Sequence, residues 1–125
     1  MSTPRRIQRR RVFGWRAPEG AVYVGRPTLY GNPYRVVCIG KAWVVCIDAA
    51  PGVTGRTLGT VADEREARQI AVDRFRAGLR TPGGCEQAEF FAQRLHGRDL
   101  MCWCPISMPC HADVLLALVN PEADR

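Results

Sequence analysis

Residues 99–119, DLMCWCPISMPCHADVLLALV, predict a short strand, a tight loop and a buried helix in succession. Alternate side chains of a strand point to one face, so Cys102 and Cys104 are expected side by side where the strand ends. The run VLLALV is apolar all round and predicts a buried helix that begins near Cys110. Crevices between a strand end and a helix start commonly bind ligands in α/β sheets. The stretch therefore predicts both an α/β fold and a site at Cys102, Cys104, Cys110 and His111.

The start of the last helix indicates reactive chemistry. Free backbone N–H groups and the helix dipole lower the pKa of a nearby thiol, which makes Cys110 the best thiolate candidate. His111 can hold a proton or a metal near neutral pH. Asp113, in the same turn, either orients His111 or complements the dipole. A catalytic set would therefore comprise Cys104, Cys110, His111 and Asp113.

Three interpretations of the Cys/His cluster stay open. In the first, the thiols of Cys102, Cys104 and Cys110 bind zinc together with His111, although the spacing C-x-C-x5-C-H is not the usual pair of C-x₂₋₄-C knuckles. In the second, Cys110 or Cys104 forms a metal-free catalytic or anion-binding pair with His111. In the third, the thiols pack in the core and His111 caps a helix. A zinc deaminase is excluded, because the H-x-E and P-C-x-x-C motifs are missing.

A second candidate site lies in the loop RPTLYGNPY at residues 26–34. Its prolines, glycine and asparagine favour a structured loop over a helix. Arg26 can bind phosphate, Tyr30 and Tyr34 offer stacking surfaces, and Asn32 offers both a donor and an acceptor. An arginine with aromatic rings and an amide is what a nucleobase or phosphate site needs. The other interpretation is a turn whose aromatic rings pack locally.

Residues 1–16 form a basic arm. They hold six arginines and no acidic residue, and the remainder of the chain is balanced, so the net charge of +6 comes from this arm. Such an arm can bind a nucleic-acid backbone by counterion release, with Arg9, Arg10 and Arg11 as contacts. The other interpretation is a solvated tail, against which Phe13 and Trp15 argue.

Length and composition predict one domain, residues 1–125, with its own core. No apolar run is long enough for a membrane span, and the arginine-rich start lacks the apolar stretch of a secretory signal. We therefore expect a cytoplasmic protein without a membrane partner. In that compartment six cysteines favour metal binding or catalysis over disulfides.

The chain-wide pattern predicts a small mixed sheet with about three helices. Residues 35–48 are expected to form a hairpin around Gly40-Lys41, which pairs Arg35 with Cys46 and leaves Cys38 and Cys46 unbridged as buried thiols. Further expected elements are a strand at 21–25, a Gly/Pro-rich connection at 49–60, a strand at 99–104, and helices at about 61–79, capped by Thr60, and 86–96, with Gly97 at the end of the second.

Four stretches resemble the family of small bacterial and phage proteins known as domain of unknown function 4326. They are RIQRRRVFGWRAPEGAVYVGRPT, YGNPY, LHGRDLMCWCP and PCHADVLLAL. The resemblance implies that the arginine arm belongs to the folded unit and that the hairpin at 35–48 is an insertion. It also places six residues in common motifs: Arg26, Asn32, Cys102, Cys104, Cys110 and His111. Leu29-Tyr30 departs from the family's basic-aromatic pair before GNP, and the resemblance supplies no reaction.

Two functions are consistent with these features. The first is a small enzyme that acts on a nucleotide, nucleoside or nucleic-acid base, with phosphate bound by the arginines and chemistry at the Cys/His cluster. The second is a non-enzymatic nucleic-acid-binding module whose cluster is a structural zinc site. Both predict a phosphate-bearing partner, and neither identifies the oligomeric state.

Overall fold

The computed structural model describes residues 3–50 and 53–121. The strands are β1 (Arg6–Gln8), β2 (Val22–Tyr23), β3 (Tyr34–Ile39), β4 (Ala42–Ala50), β5 (Val53–Val61) and β6 (Leu100–Cys102), and the helices are α1 (Glu64–Leu79), α2 (Pro82–Leu95) and α3 (His111–Val119). The predicted α/β class with three helices is confirmed. The strands, however, form two small sheets where we expected one mixed sheet.

The first sheet is parallel, with the strand order β1-β6-β2. Its central strand β6 is buried along its whole length, as expected for a strand with a neighbour on each side. Strand β1 lies inside the basic arm and pairs Arg6 with Leu100. The arm is therefore part of the folded unit, as the resemblance implies.

The second sheet is the antiparallel meander β3-β4-β5. Its first hairpin turns at Gly40, which has a φ of +62°, and pairs Ile39 with Ala42 and Arg35 with Cys46. This register is the predicted one. All six cysteines are free; Cys46 is buried as expected, whereas Cys38 is exposed, which corrects the prediction for that residue.

Strand β5 corrects the prediction of a connection at 49–60. Gly55 and Gly59 indicated a loop, but the segment pairs with β4 through a ladder with several register shifts. Bulged edge strands tolerate glycine because the irregular pairing does not need a side chain at every position.

Helix α1 packs against the second sheet and against α2 and α3, and so joins the two parts of the core. Val45 of the second sheet packs with Ala67 and Ala71 of α1. Further along the helix, Val72, Phe75 and Leu79 join the larger cluster formed by the first sheet, α2 and α3. The space that opens between the sheets beside α1 holds the candidate site.

The helix boundaries differ from the predicted ones for local reasons. Helix α1 begins three residues later than expected, because Asp63 and not Thr60 caps it by accepting a hydrogen bond from Glu66 N. Helix α2 begins at Pro82, four residues earlier than expected. Thr81 caps it, and a proline fits the first turn because its missing N–H has no partner to lose there. Gly97, with a φ of +74°, follows α2 as predicted.

Asn32 gives a first testable prediction, about stability. Its Nδ2 donates to Ala71 O at 3.2 Å, its Oδ1 accepts from Tyr34 N at 2.9 Å, and the residue is buried. We expect Asn32→Ala to lower the free energy of unfolding by about 2 kcal/mol, because it leaves buried backbone groups without partners. Denaturant unfolding measures the change. The control Leu29→Ala shortens an exposed side chain of the same loop and should cost less than about 0.5 kcal/mol. Equal stability of the two variants would contradict the structural role of Asn32.

Candidate metal centre and binding cavity

The Cys/His cluster lies where β6 ends and α3 begins, as the sequence predicted. The donor atoms of Cys102, Cys110 and His111 lie within 4.8 Å of one another, and all three residues are buried. Cys104 follows closely, with its Sγ 3.8 Å from Cys102 Sγ. Three residues that β6, the loop and α3 supply separately are thus brought to one point and can hold a metal ion.

The His111 ring is held in one tautomer. Its Nε2 lies 2.8 Å from Val24 O, and a carbonyl oxygen only accepts, so Nε2 carries the proton. Nδ1 then presents its lone pair towards Cys110 Sγ at 3.7 Å. Burial lowers the pKa of His111, which keeps the ring neutral. A neutral imidazole with its second nitrogen bonded to a backbone carbonyl is the arrangement found in metal-binding histidines.

The three thiols of the cluster differ in pKa. Hydrogen bonds from Cys104 and then Cys110 lower the pKa of the Cys102 thiol far below its ordinary value. The same contact with Cys102 raises the pKa of Cys110 and of Cys104. Among these thiols the lowest pKa therefore belongs to Cys102, whereas Cys110 stays the thiolate that the sequence predicts from the helix dipole. The cause is that the sulfur atoms of Cys104 and Cys110 both lie close enough to hydrogen-bond the Cys102 sulfur.

Two of the distances between donor atoms match those of a tetrahedral zinc site. Zn–S bonds of about 2.3 Å at the tetrahedral angle place two sulfur ligands about 3.8 Å apart, and a sulfur and a nitrogen ligand about 3.6 Å apart. The Cys102–Cys104 distance is 3.8 Å and the Cys110–His111 distance is 3.7 Å. Cys110 and His111, although adjacent in the sequence, both bring a donor atom to the cluster.

The cluster opens into a cavity of about 380 Å³ between the two sheets. Arg26, Asn32 and Tyr34 from the predicted ligand loop line the same cavity as Cys102, Cys104, Cys110 and His111. The two candidate sites of the sequence are thus one site. Its volume lies within the range of small-molecule sites, about 300–1,000 Å³.

Arg26 lies at the cavity wall and takes part in a network of ion pairs and hydrogen bonds. Its Nε lies 3.5 Å from a carboxylate oxygen of Asp48, and its Nη2 donates to Tyr34 O at 2.9 Å. Asp48 also pairs with Arg35 at 3.0 Å. Since one carboxylate faces two guanidinium groups, this wall keeps an excess positive charge. Burial, followed by repulsion from Arg35, lowers the pKa of Arg26, which indicates that an anion at this wall would be favourable.

Other predicted residues lie elsewhere or are already engaged. Tyr30 packs edge-on against Phe91, with ring centroids 5.3 Å apart, so it belongs to the core and not to the cavity lining. Asp113 pairs with Arg6 at 3.3 Å on the far side of the loop at 105–109, so the carbonyl of Val24 orients His111 instead. Asn32 lines the cavity, but internal hydrogen bonds occupy both ends of its amide.

The arm reaches the rim of the cavity. The Arg9 and Arg11 guanidinium groups lie 4.8 Å and 4.7 Å from the Trp103 ring centroid, and Arg9 also covers the ring of Tyr23. Trp103 and Tyr23 both line the cavity. Arg10 is exposed. Two of the three predicted arm arginines are therefore ordered beside the site.

Sequence reasoning missed Arg68 on α1. Its side chain lines the cavity, and its Nη1 lies 3.9 Å from Cys104 Sγ. Its Nε pairs with Glu64 at 3.0 Å. The signal was present, because Arg68 falls at helical spacing with the buried residues Val72 and Phe75. An arginine in an apolar stripe needs a polar environment, which here is the cavity.

These features define a small α/β protein with a thiol and imidazole cluster at the floor of an arginine-bearing cavity. The chain belongs to the family described as Domain of unknown function (DUF4326), whose match covers residues 7–121. This confirms the resemblance drawn from the four sequence stretches. No curated protein and no solved structure matches the chain. In the part of the chain that the structure describes, none of the helices has the length and apolar character of a membrane span.

Proposed function

We propose that the chain is a small zinc-dependent enzyme that acts on a nucleotide, nucleoside or nucleic-acid base bound in the cavity. One observation carries the proposal. Three metal-ligating side chains converge within 4.8 Å on the wall of a cavity that also presents two guanidinium groups, those of Arg26 and Arg68. Active sites combine concave shape, convergent polar groups and perturbed pKa values in this way.

Cys102, Cys110 and His111 would hold the zinc ion. Thiolate and imidazole donors suit zinc, and the hydrogen bond from His111 Nε2 to Val24 O supplies the outer-shell contact that orients a ligating histidine. Bound there, zinc would supply Lewis-acid chemistry to the group that enters the cavity. The proposal places the protein in the cytoplasm, where thiols stay reduced and available to a metal.

Arg26 and Arg68 would bind the phosphate of the substrate. They stand on β2's following loop and on α1 respectively, so they approach the cavity from different elements. Guanidinium groups present planar donors that match phosphate oxygens. The ring of Tyr34 offers an apolar face for a base, whereas the Trp103 ring in the same lining is stacked against Arg9 and Arg11.

A second candidate function is a nucleic-acid-binding module with a structural zinc site. The Cys102–Cys104 distance of 3.8 Å favours it, because Cys104 would then complete a four-ligand, closed centre. Catalytic zinc sites instead keep one position open to substrate. Whether Cys104 is a ligand therefore separates the two candidates.

The proposal predicts how the cavity arginines affect nucleotide binding. Arg26→Ala and Arg68→Ala should each weaken binding of nucleoside monophosphates about tenfold or more, because a hydrogen bond to a charged group contributes about 1.5–3 kcal/mol. Calorimetric titration of zinc-loaded protein with AMP, GMP, CMP and UMP measures this, with adenosine as the phosphate-free comparison. Chromatography of the same mixtures after incubation reports turnover.

The matched control is Arg74→Ala, which removes an exposed arginine from the same helix as Arg68. It should leave both affinity and turnover unchanged. If Arg26→Ala and Arg68→Ala both bind every nucleotide as well as Arg74→Ala does, the phosphate role of the cavity is refuted. If zinc-loaded protein binds nucleotides and oligonucleotides but converts none of them, the binding module replaces the enzyme.

A further inference from the structure

The basic arm exposes an aromatic ring beside the cavity. We call residues 10–16, RRVFGWR, the basic turn. Trp15 N donates to Val12 O at 3.0 Å and Gly14 has a φ of +82°, so the backbone reverses at Phe13 and Gly14. Phe13 stands at the tip with a relative exposure of 107%, and Val12 is 61% exposed. Phe13 and Val12 together present exposed apolar side chains that a partner could cover.

The surroundings of Phe13 are positively charged. Arg10, Arg11 and Arg16 are all exposed around the turn, and the first acidic residue of the sequence is Glu19. A partner that covers this surface must therefore combine negative charge with flat apolar groups. Nucleic acid has both, as phosphates and as bases.

The basic turn is continuous with the cavity. The Arg11 guanidinium group lies 4.7 Å from the Trp103 ring centroid, and Trp103 lines the cavity. Arg9 covers the same ring and that of Tyr23, which also lines the cavity. A path of arginines and aromatic rings thus leads from Phe13 to the Cys/His cluster.

We propose that the basic turn binds single-stranded nucleic acid, with Phe13 stacked on an unpaired base next to the nucleotide that occupies the cavity. The inference rests on the proposed function and narrows its substrate class from free nucleotides to a strand. Bases in a duplex are already stacked and paired, so a ring at a turn tip gains contact only with an unpaired base. The arginines follow the backbone without sequence preference.

The test compares Phe13→Ser with the natural chain, both loaded with zinc. Fluorescence anisotropy with labelled oligothymidylate and oligouridylate should show about 5- to 100-fold weaker binding by the variant, because stacking of one base contributes about that factor. Phe13→Tyr should bind nearly as well as the natural chain, since it keeps the ring. The matched control is Ile39→Ser, which removes an exposed apolar side chain at the distant hairpin, and it should bind normally.

Further measurements distinguish single-stranded nucleic acid from other partners. AMP affinity and zinc content should be the same in the natural chain and in Phe13→Ser, because Phe13 lies outside the cavity lining. Unchanged strand binding by Phe13→Ser would overturn the proposal. So would equal affinity for the annealed duplex, or binding to phosphatidylserine vesicles but not to the strands. Strand binding that depends on Phe13 while no mononucleotide binds would keep the basic turn as a strand-binding surface and refute the cavity as a nucleotide site.

Discussion

Cys110→Ser is expected to lower zinc affinity more than about 100-fold, because even outer-shell partners of a metal ligand cost about 10- to 100-fold. Cys110 Sγ is one of three donor atoms within 4.8 Å, and its hydroxyl replacement is a poor ligand for zinc. Zinc content after gel filtration and competition with a chromophoric chelator measure the loss. Chelation of the natural chain should also lower its thermal midpoint, since a metal that binds only the folded state stabilises it by mass action.

The chain offers a matched control for this experiment. Cys85→Ser removes an exposed thiol on α2, outside the cavity, and should leave one zinc per chain in place. A natural chain that is folded, free of metal and indifferent to chelator would refute the zinc site altogether. It would leave the metal-free Cys/His pair as the basis of any chemistry.

Cys104→Ser separates the two proposed functions. In the enzyme, three ligands suffice, so this variant should retain zinc with a loss much smaller than that of Cys110→Ser. In the binding module, Cys104 is the fourth ligand, so Cys104→Ser and Cys110→Ser should lose zinc to a similar extent. The natural chain should then unfold when its zinc is chelated. Cobalt substitution gives an independent result, because the sulfur-to-metal absorption rises with the number of thiolate ligands.

The location of the site was predictable because its signals are local. Four donors within residues 102–111, a strand end and a helix start are all properties of one stretch. The hairpin register was predictable for the same reason, since Gly40-Lys41 sets the turn and β-branched runs flank it. In both cases neighbours in sequence are also the neighbours that matter in the fold.

The missed features depend on distant partners. Strand β5 forms because β4 pairs with it, and its own glycines give no such signal. Arg68 reaches the cavity only because α1 packs beside Cys104, which is 36 residues away. The low pKa of Cys102 follows from its contacts with the sulfur atoms of Cys104 and Cys110. Residue types are readable from sequence, but their relative positions across the fold are not.

Gly84→Ala is expected to destabilise the fold by about 3 kcal/mol or more. Gly84 lies in the first turn of α2, where α2 meets the end of α1. A Cβ at this position would lie 2.8 Å from Leu79 Cα and closer still to Gly78 O. Both obstacles are backbone atoms of the preceding helix, so no side-chain rotation relieves the overlap, and the helices must separate. The thermal midpoint should fall by roughly 10 °C.

The neighbouring glycine supplies the control. Gly83→Ala adds the same methyl group to the same helical turn, but nothing lies within 4 Å of its Cβ. Because alanine lowers the conformational entropy of the unfolded chain, this variant should be as stable as the natural chain or up to about 1 kcal/mol more stable. Thermal unfolding of the pair, followed by circular dichroism, measures both. Similar midpoints would mean that α1 and α2 do not approach this closely, and the packing of α1 between the cavity and the rest of the core would have to be revised.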